Sequence, residues 1–288
     1  MRKKLMKRSI VLGIAAVILV SLIIWIAWGN TALEVTTVTV SSEKLPKSFS
    51  GYRIAQISDL HNAEFGEDNA KLLKMLKDTE PDIIVITGDL VDSRRTDIEI
   101  GVSFAKQAVE IAPVYYVTGN HEERISEYSE LKEKLENSGA CVLENERIEI
   151  ERSGGYISLI GIDDPAFLTD YLSGDPSSIS ENVLRDLTAD NDNYTILLSH
   201  RPELFDVYAD FNIDLVFSGH AHGGQFRLPF IGGVAAPGQG LFPKYDSGLY
   251  TDGDTNMIVS RGIGNSIIPF RINNRPEIVV VELSNEKN

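Results

Sequence analysis

Two histidines one residue apart, His220 and His222, follow the apolar run from Leu215 to Ser218, which reads as a buried strand. On the extended stretch just past a strand, both imidazoles can turn toward one side of a site, which is a metal-ligand geometry. Such a pair by itself is as readily a hydrogen-bonded loop or core pair. Here it has company. All five histidines, His61, His121, His200, His220 and His222, fall at or just past the C-terminal ends of predicted strands, and the same ends carry Asp59, Asp89 and Asn120. An open α/β sheet places its site there. Scattered structural histidines would not be expected to gather so.

If these side chains converge, Asp59, His61, Asp89, Asn120, His200, His220 and His222 offer oxygen and nitrogen donors without a thiolate, a set suited to manganese, iron or zinc. Seven donors exceed what one ion with an open position needs. They suit two divalent ions with a carboxylate such as Asp89 between them. Ions about 3.5 to 4 Å apart activate water and hold a phosphoryl oxygen through an in-line displacement. Two dications, two aspartates and a hydroxide sum to about +1, a local attraction for a phosphate ester. His121, beside Asn120, is then free to donate a proton to the leaving group or to stabilise the transition state. Taken singly, Asp59 and Asp89 read as helix caps or turn formers and the Gly119 to His121 stretch as a turn. The set as a whole carries the argument. Arg201, Arg261 and Arg271 are candidate phosphate contacts, because guanidinium meets phosphate bidentately. Each also reads as a loop-stabilising residue.

Alternating strands and helices must position these residues. Strands are expected at Tyr52 to Ser58, Asp82 to Thr87, Pro113 to Thr118, Tyr194 to Leu198 and Asp214 to Ser218, each ending at a candidate residue. Helices are expected at about 68–78, 97–111, 126–138, 180–188 and 203–209, and a hairpin at 147–162. After His222 comes a glycine- and proline-rich stretch to about Pro276, broken by an apolar run from Met257 to Ser260, before a last strand from Glu277 to Glu282. The repeated units with β-rich additions argue for an α/β sandwich of two packed sheets flanked by helices, in one domain. Cys141, the single cysteine, excludes an intramolecular disulfide and reads as a small core residue.

The N-terminus is a separate unit. Arg2, Lys3, Lys4, Lys7 and Arg8 precede an uncharged run from Ile10 to Trp28, which as a helix spans about 28 Å, close to a bilayer core. A weak cleavage site and the tryptophans Trp25 and Trp28 favour a retained anchor over a cleaved signal peptide that would release the chain for export. The basic tip should stay cytoplasmic and the rest of the chain outside. The formal net charge is −15; residues 1–28 hold five cations and no acid, so the remainder carries −20. Such a surface repels nucleic acid. The expected organisation is 1–29 basic tip and transmembrane anchor, 30–50 linker with an early strand, and 51–288 catalytic domain.

The stretches Asp59 to His61, Gly88 to Asp92, Gly119 to Glu122, Ser199 to His200 and Gly219 to His222 resemble, in order, the five motifs of the calcineurin-like metallophosphoesterases. That resemblance covers about Tyr52 to Leu283. It implies a four-layer αββα sandwich of two mixed sheets flanked by helices, preceded here by one transmembrane helix. It also implies one ion on Asp59, His61, Asp89 and His222, the other on Asp89, Asn120, His200 and His220, and His121 as the outer catalytic histidine. The continuation to Gln225, with the anchor, is similar to a bacterial membrane-associated or exported subgroup. That subgroup includes manganese-dependent enzymes and phosphodiesterases proposed to cleave the pyrophosphate of UDP-diacylglucosamine. The implied function is hydrolysis of a phosphate diester, lipid-linked or from the cell envelope, at the outer face of the membrane. The alternatives are a phosphomonoesterase and a metal-free scaffold. Phe226, Phe230, Phe242, Tyr245, Tyr250 and Phe270 either line an apolar groove for such a substrate or pack the loops onto the sandwich.

Overall fold

A computed structural model describes residues 2–169 and 175–286. Met1 of the basic tip, five residues of the polar loop near 170, and the last two residues lie outside that range. The strands are β1 (Glu34–Ser41), β2 (Arg53–Ile57), β3 (Ile83–Thr87), β4 (Val114–Val117), β5 (Cys141–Val142), β6 (Glu146–Arg152), β7 (Gly155–Gly161), β8 (Tyr194–Leu198) and β9 (Leu215–Ser218). They continue as β10 (Arg227–Leu228), β11 (Gly232–Gly233), β12 (Ala235–Ala236), β13 (Gly240–Leu241), β14 (Gly248–Asp252), β15 (Thr255–Val259) and β16 (Glu277–Ser284). The α-helices are α1 (Arg2–Thr31), α2 (Ala70–Asp78), α3 (Ile98–Ala108), α4 (Asn120–Glu123), α5 (Tyr128–Asn137), α6 (Ala166–Thr169), α7 (Pro176–Thr188) and α8 (Phe205–Asp210).

Two six-stranded mixed sheets, ordered β1-β16-β2-β3-β4-β5 and β14-β15-β9-β8-β7-β6, pack face to face. The alternation of side chains along each strand decides what lies on either side. In β3, Ile83 and Val85 enter the core between the sheets, where Ile54, Ile196, Leu198, Phe217 and Val281 meet them. Its Ile84 and Ile86 face the opposite way, into a core formed with Leu72, Leu76, Phe104 and Leu131 of the covering helices. In β9, Leu215 and Phe217 join the inter-sheet core, whereas Val216 packs with Leu184, Phe205 and Tyr208 under α7 and α8. A strand buried on both faces needs a continuous apolar run, which explains the runs in β3 and β9. The result is the four-layer αββα sandwich.

The short parallel strands β2, β3 and β4 end side by side in one sheet, and β8 and β9 end side by side in the other. Every candidate donor therefore leaves the sandwich at one edge. Several elements extend beyond the expected ones. Strand β1 pairs in parallel with β16 from Glu34 to Ser41, so that part of the 30–50 segment is built into the first sheet. Helix α7 begins at Pro176, earlier than expected, with the Asp175 carboxylate accepting the N–H groups of Ser177 and Ser178. The stretch after His222 contains the hairpins β10–β11 and β12–β13 and the largely exposed strand β14, which pairs antiparallel with β15. Strands this short, or this exposed, carry no hydrophobic alternation to read. Cys141 sits half-exposed on β5 with its inner side against the inter-sheet core.

Helix α1 stands out from the sandwich with its apolar side chains exposed, and Met6–Thr31 is long and apolar enough to cross a membrane. Replacing Phe217, fully buried between the sheets, with Ala should cost about 3–5 kcal/mol of stability. Urea titration of the detergent-solubilised full chain measures this as a lowered midpoint with unchanged slope.

Candidate metal centre

The local backbone turns the donors inward. Asp59 (φ 53°), His61 (φ 47°), Asp89 (φ 51°), His220 (φ 63°) and His222 (φ 48°) all adopt the left-handed conformation, which costs a non-glycine residue about 1–2 kcal/mol. Five such residues at the ends of neighbouring strands concentrate strain where side chains must be aimed. Close packing constrains the spacers. A Cβ on Gly119 would collide with Asp89 Oδ1, and one on Gly219 would lie 2.5 Å from Asp59 Oδ2. The glycines before Asn120 and His220 thus give the two aspartates room.

Two donor groups result, sharing Asp89. Ligand atoms of Asp59, His61, Asp89 and His222 lie within 4.8 Å of one another, as do those of Asp89, His200 and His220. In the first group His61 Nε2 is 3.1 Å from His222 Nε2 and 3.6 Å from Asp89 Oδ2, and His222 Nε2 is 3.4 Å from Asp59 Oδ1. In the second, His200 Nε2 is 3.3 Å from Asp89 Oδ2 and 3.0 Å from His220 Nδ1. Bonds of about 2.1 Å to one ion would place adjacent ligand atoms about 3.0 to 3.4 Å apart, so these spacings fit. The buried Asn120 Oδ1 has no hydrogen-bond partner, and Asn120 lines the same cavity as Asp89, His220 and His222. An orphaned acceptor beside carboxylate and imidazole suits a cation.

Electrostatics agree with that fit. Burial pushes His61 down to about 4 and His222 to about 3, so both are neutral imidazoles, the form that binds metal. Burial also holds His220 well below its usual range. For His200, burial acts downward too, but the adjacent Asp89 carboxylate outweighs it and lifts the imidazole to about 10. Burial alone would raise Asp89; His200 instead holds it well below the usual carboxylate range. The proton at this pair occupies the place that a cation would take. His200 Nδ1 donates to the Thr87 carbonyl at 2.8 Å, which fixes the ring with Nε2 toward Asp89.

His121 stands outside both groups. Its Nδ1 accepts the Ser93 backbone N–H at 3.0 Å, so the proton of the neutral ring is on Nε2, which lies 3.3 Å from Ser266 Oγ on the cavity wall. Burial lowers its pKa. The His121 backbone N–H donates to Asp89 Oδ1 at 2.8 Å, tying the histidine to the shared carboxylate.

The three candidate arginines part company. Arg201 lines the cavity, with Nη1 3.3 Å from His220 Nε2, while Asp164 holds its guanidinium through contacts of 2.6 and 2.9 Å. Arg261 and Arg271 do not line that cavity. Arg261 pairs with Glu277 at 2.8 Å and Glu34 at 3.2 Å. Arg271 is buried, donating to the carbonyls of Arg261 and Gly264 and to Asn265 Oδ1. Their guanidinium groups stabilise loops. Among the aromatics, Tyr245 packs edge-on against Phe205 and Tyr250, whereas Phe230 and Phe242 are exposed.

Sequence reading missed three features. Arg124 lines the cavity as a second cation; Asp164 orients Arg201; and the fully buried Glu122 organises the backbone around Asp89. Glu122 accepts N–H groups from Asp89 at 2.9 Å, Val91 at 3.2 Å and Gly119 at 2.7 Å. Its place three residues after Gly119 is a capping-box spacing and was the available signal.

Residues 52–224 match the family model described as calcineurin-like phosphoesterase. A Bacillus subtilis protein described as the uncharacterised metallophosphoesterase YkuE is 28% identical over 87% of this chain and 85% of its own length. A Bos taurus transmembrane protein with metallophosphoesterase domain is 32% identical over 85% of this chain, which spans 55% of that protein. The Escherichia coli protein named phosphodiesterase YaeI is 28% identical over 81% of this chain and 82% of its own length.

Because Asp89 belongs to both donor groups, Asp89→Asn should lower the divalent metal retained by the purified chain from about two ions to one or none. Atomic emission on wild type and variant measures the ratio, and an unchanged content would remove Asp89 from the centre.

Proposed function

The chain belongs to the calcineurin-like phosphoesterases, and from that premise we propose that it is a dinuclear-metal-dependent phosphodiesterase of the membrane surface. The observation that carries this reading is the pair of donor groups sharing Asp89, with a proton-bearing His121 Nε2 at the wall of the same cavity of about 220 Å³.

Asp59, His61, Asp89 and His222 would hold one divalent ion, and Asp89, Asn120, His200 and His220 the other. Two ions there would supply polarisation of a phosphoryl oxygen and activation of water. The chain's own residues supply orientation and stabilisation of developing charge. The Ser93 N–H fixes the His121 tautomer, so that Nε2–H can hydrogen-bond to the oxygen of the departing alcohol or phosphate and stabilise the charge that develops there. Arg201, clamped by Asp164, and Arg124 add positive charge at the cavity wall, where the remaining phosphoryl oxygens would lie. Every donor is retained, which speaks against a metal-free scaffold.

The name of the relative YaeI favours a diester over a monoester. The nitrogen and oxygen donors suit manganese, iron or zinc, and the resemblance to a subgroup with manganese-dependent members favours manganese. Helix α1 and the transmembrane relative support a single-pass membrane protein. The five N-terminal cations favour a cytoplasmic tip and an external catalytic domain, and a lipid-linked or cell-envelope ester is the substrate that this location would offer.

The full chain in detergent, stripped with a chelator and resupplied with manganese, iron or zinc, should hydrolyse a chromogenic phosphodiester faster than the matching monoester. Loss of turnover in Asp89→Asn ties it to the centre. Preference for the monoester would reverse the substrate reading, and no turnover with any metal would argue against the chromogenic ester class. His121→Ala should reduce kcat by about 10²- to 10³-fold while leaving the bound metal unchanged, as expected of a hydrogen-bond donor outside the ligand set. In intact cells, added protease should digest the catalytic domain; full protection would place it on the cytoplasmic side.

A further inference from the structure

Outside the anchor, the exposed large apolar side chains of the described residues concentrate on the loops that follow His222. Phe230 and Ile231 stand on the β10–β11 hairpin, Leu241 and Phe242 at and beside β13, and Ile267 and Phe270 on the loop after β15. Phe230 is fully solvent-exposed, and both it (φ 68°) and Phe242 (φ 55°) hold the left-handed backbone that bulky residues rarely adopt. Exposed aromatics held in a strained backbone do nothing for folding.

These loops form one body. The Phe226 and Phe270 rings pack at 5.5 Å, Gln225 Nε2 donates to the carbonyls of Ile268 and Phe270, and Arg227 N–H donates to Ile272 O. Val234 N–H donates to Phe226 O and Phe242 N–H to Val234 O, tying in the second hairpin.

The same body is fastened to the end of the anchor. Asn30 Oδ1 accepts the Arg271 N–H at 2.7 Å, Asn30 Nδ2 donates to Arg271 O at 2.9 Å, and the Arg275 guanidinium lies 5.0 Å over the Trp28 ring. Asn30 is two residues past Trp28, about 3 Å along the helix. Tryptophans at the end of a span sit at the headgroup layer. The loop that Asn30 holds is therefore at that layer too.

Charge provides an independent observation. Residues 218–244 and 255–276 contain none of the chain's 42 acidic residues, yet they include Arg227, Lys244, Arg261, Arg271 and Arg275. Asp246 pairs with Arg227, Asp206 with Lys244, and Glu34 with Arg261 and Arg275, so in a chain of net charge −15 these near-neutral segments are the ones that an anionic lipid surface would repel least.

We propose that this loop face is a membrane-docking surface. Phe230, Ile231, Leu241 and Phe242 enter the headgroup–acyl boundary of the bilayer that α1 crosses. Because Pro237, Gly238, Ser266 and Ile267 of the same loops line the catalytic cavity, docking lays the mouth of the site on the lipid surface. The proposal rests on the membrane-bound reading of α1 but not on the ester that is cleaved.

The test uses the full chain with Cys141→Ser and a single new cysteine, Phe230→Cys or Leu241→Cys, labelled with the fluorophore NBD. Each is reconstituted at low density in phosphatidylethanolamine–phosphatidylglycerol vesicles. Tyr156→Cys, at the exposed start of β7 and so at the opposite end of the strands from the site, is the control. Labels at 230 and 241 should shift to the blue and be quenched roughly twofold or more by lipids carrying a doxyl group near the headgroup, as expected for side chains buried about 5–10 Å. The label at 156 should not respond. Vesicle flotation reports the anchor separately, and metal content matching the parent chain reports folding. Protein that floats with labels at 230 and 241 as unquenched as that at 156 overturns the docking surface. So does shielding that disappears on dilution and is insensitive to doxyl lipid, which would assign the face to a second copy of the chain. Protein that does not float overturns the anchor reading, and the docking surface with it.

Discussion

Three backbone N–H groups from two neighbouring strand ends, those of Asp89, Val91 and Gly119, converge on the buried carboxylate of Glu122. A carboxylate without water must find donors inside the protein, and an N–H group at the end of a strand has lost its partner in the sheet. Each need is met by the other. The consequence reaches the whole centre, because this lattice fixes the backbone of Asp89 in its left-handed conformation and holds Asn120 and His121 against it. Burial raises Glu122 to about 7, with repulsion from Asp89 adding to it, so the lattice and the shared ligand are in electrical tension. Cations on the other side of Asp89 would relieve that tension.

The same reasoning explains why the imidazoles differ. All four candidate histidine ligands are buried, and burial alone drives every one toward the neutral form. Only His200 is overruled, by the carboxylate that the two donor groups share. Three neutral rings, one charged pair and an orphaned amide oxygen form a site whose polar groups are only partly satisfied by one another. Such an arrangement is expensive in a protein interior, and the sandwich supports it with three apolar cores, one between the two sheets and one on each outer side. Strain and desolvation concentrated at one edge are the mark of a site, since neither helps the chain to fold.

The acidic balance of the chain and the anionic substrates of its family are reconciled by segregation. Carboxylates are absent from residues 218–244 and 255–276, and the loops within these stretches both complete the cavity wall and fasten the last turn of α1 through Asn30. One structural unit thus links the apolar helix α1 to the edge that holds the candidate metal centre.

The donors themselves were legible in the sequence. His61, Asp89, His200 and His222 stand at the ends of apolar runs, and a run buried on both faces can end only at an edge, so residue type and position sufficed to collect them. The anchor was equally legible, because length and apolarity are properties of the chain and need no partner. Tertiary structure decided the rest. Arg261 and Arg271 look like phosphate contacts in sequence, yet Glu34, Glu277 and the carbonyl of Gly264, distant or invisible as pairing partners in a linear reading, engage them in the fold. Arg124 and Asp164 entered the site only because α4 and the segment after β7 converge on it. Strand β14 and the two small hairpins have too few buried residues to leave a periodic trace, and their positions follow from pairing with β15 and with each other. Sequence names the groups that can do chemistry; which charges neutralise one another, and which remain facing the cavity, is a matter of distance, and distance is set only when the two sheets close.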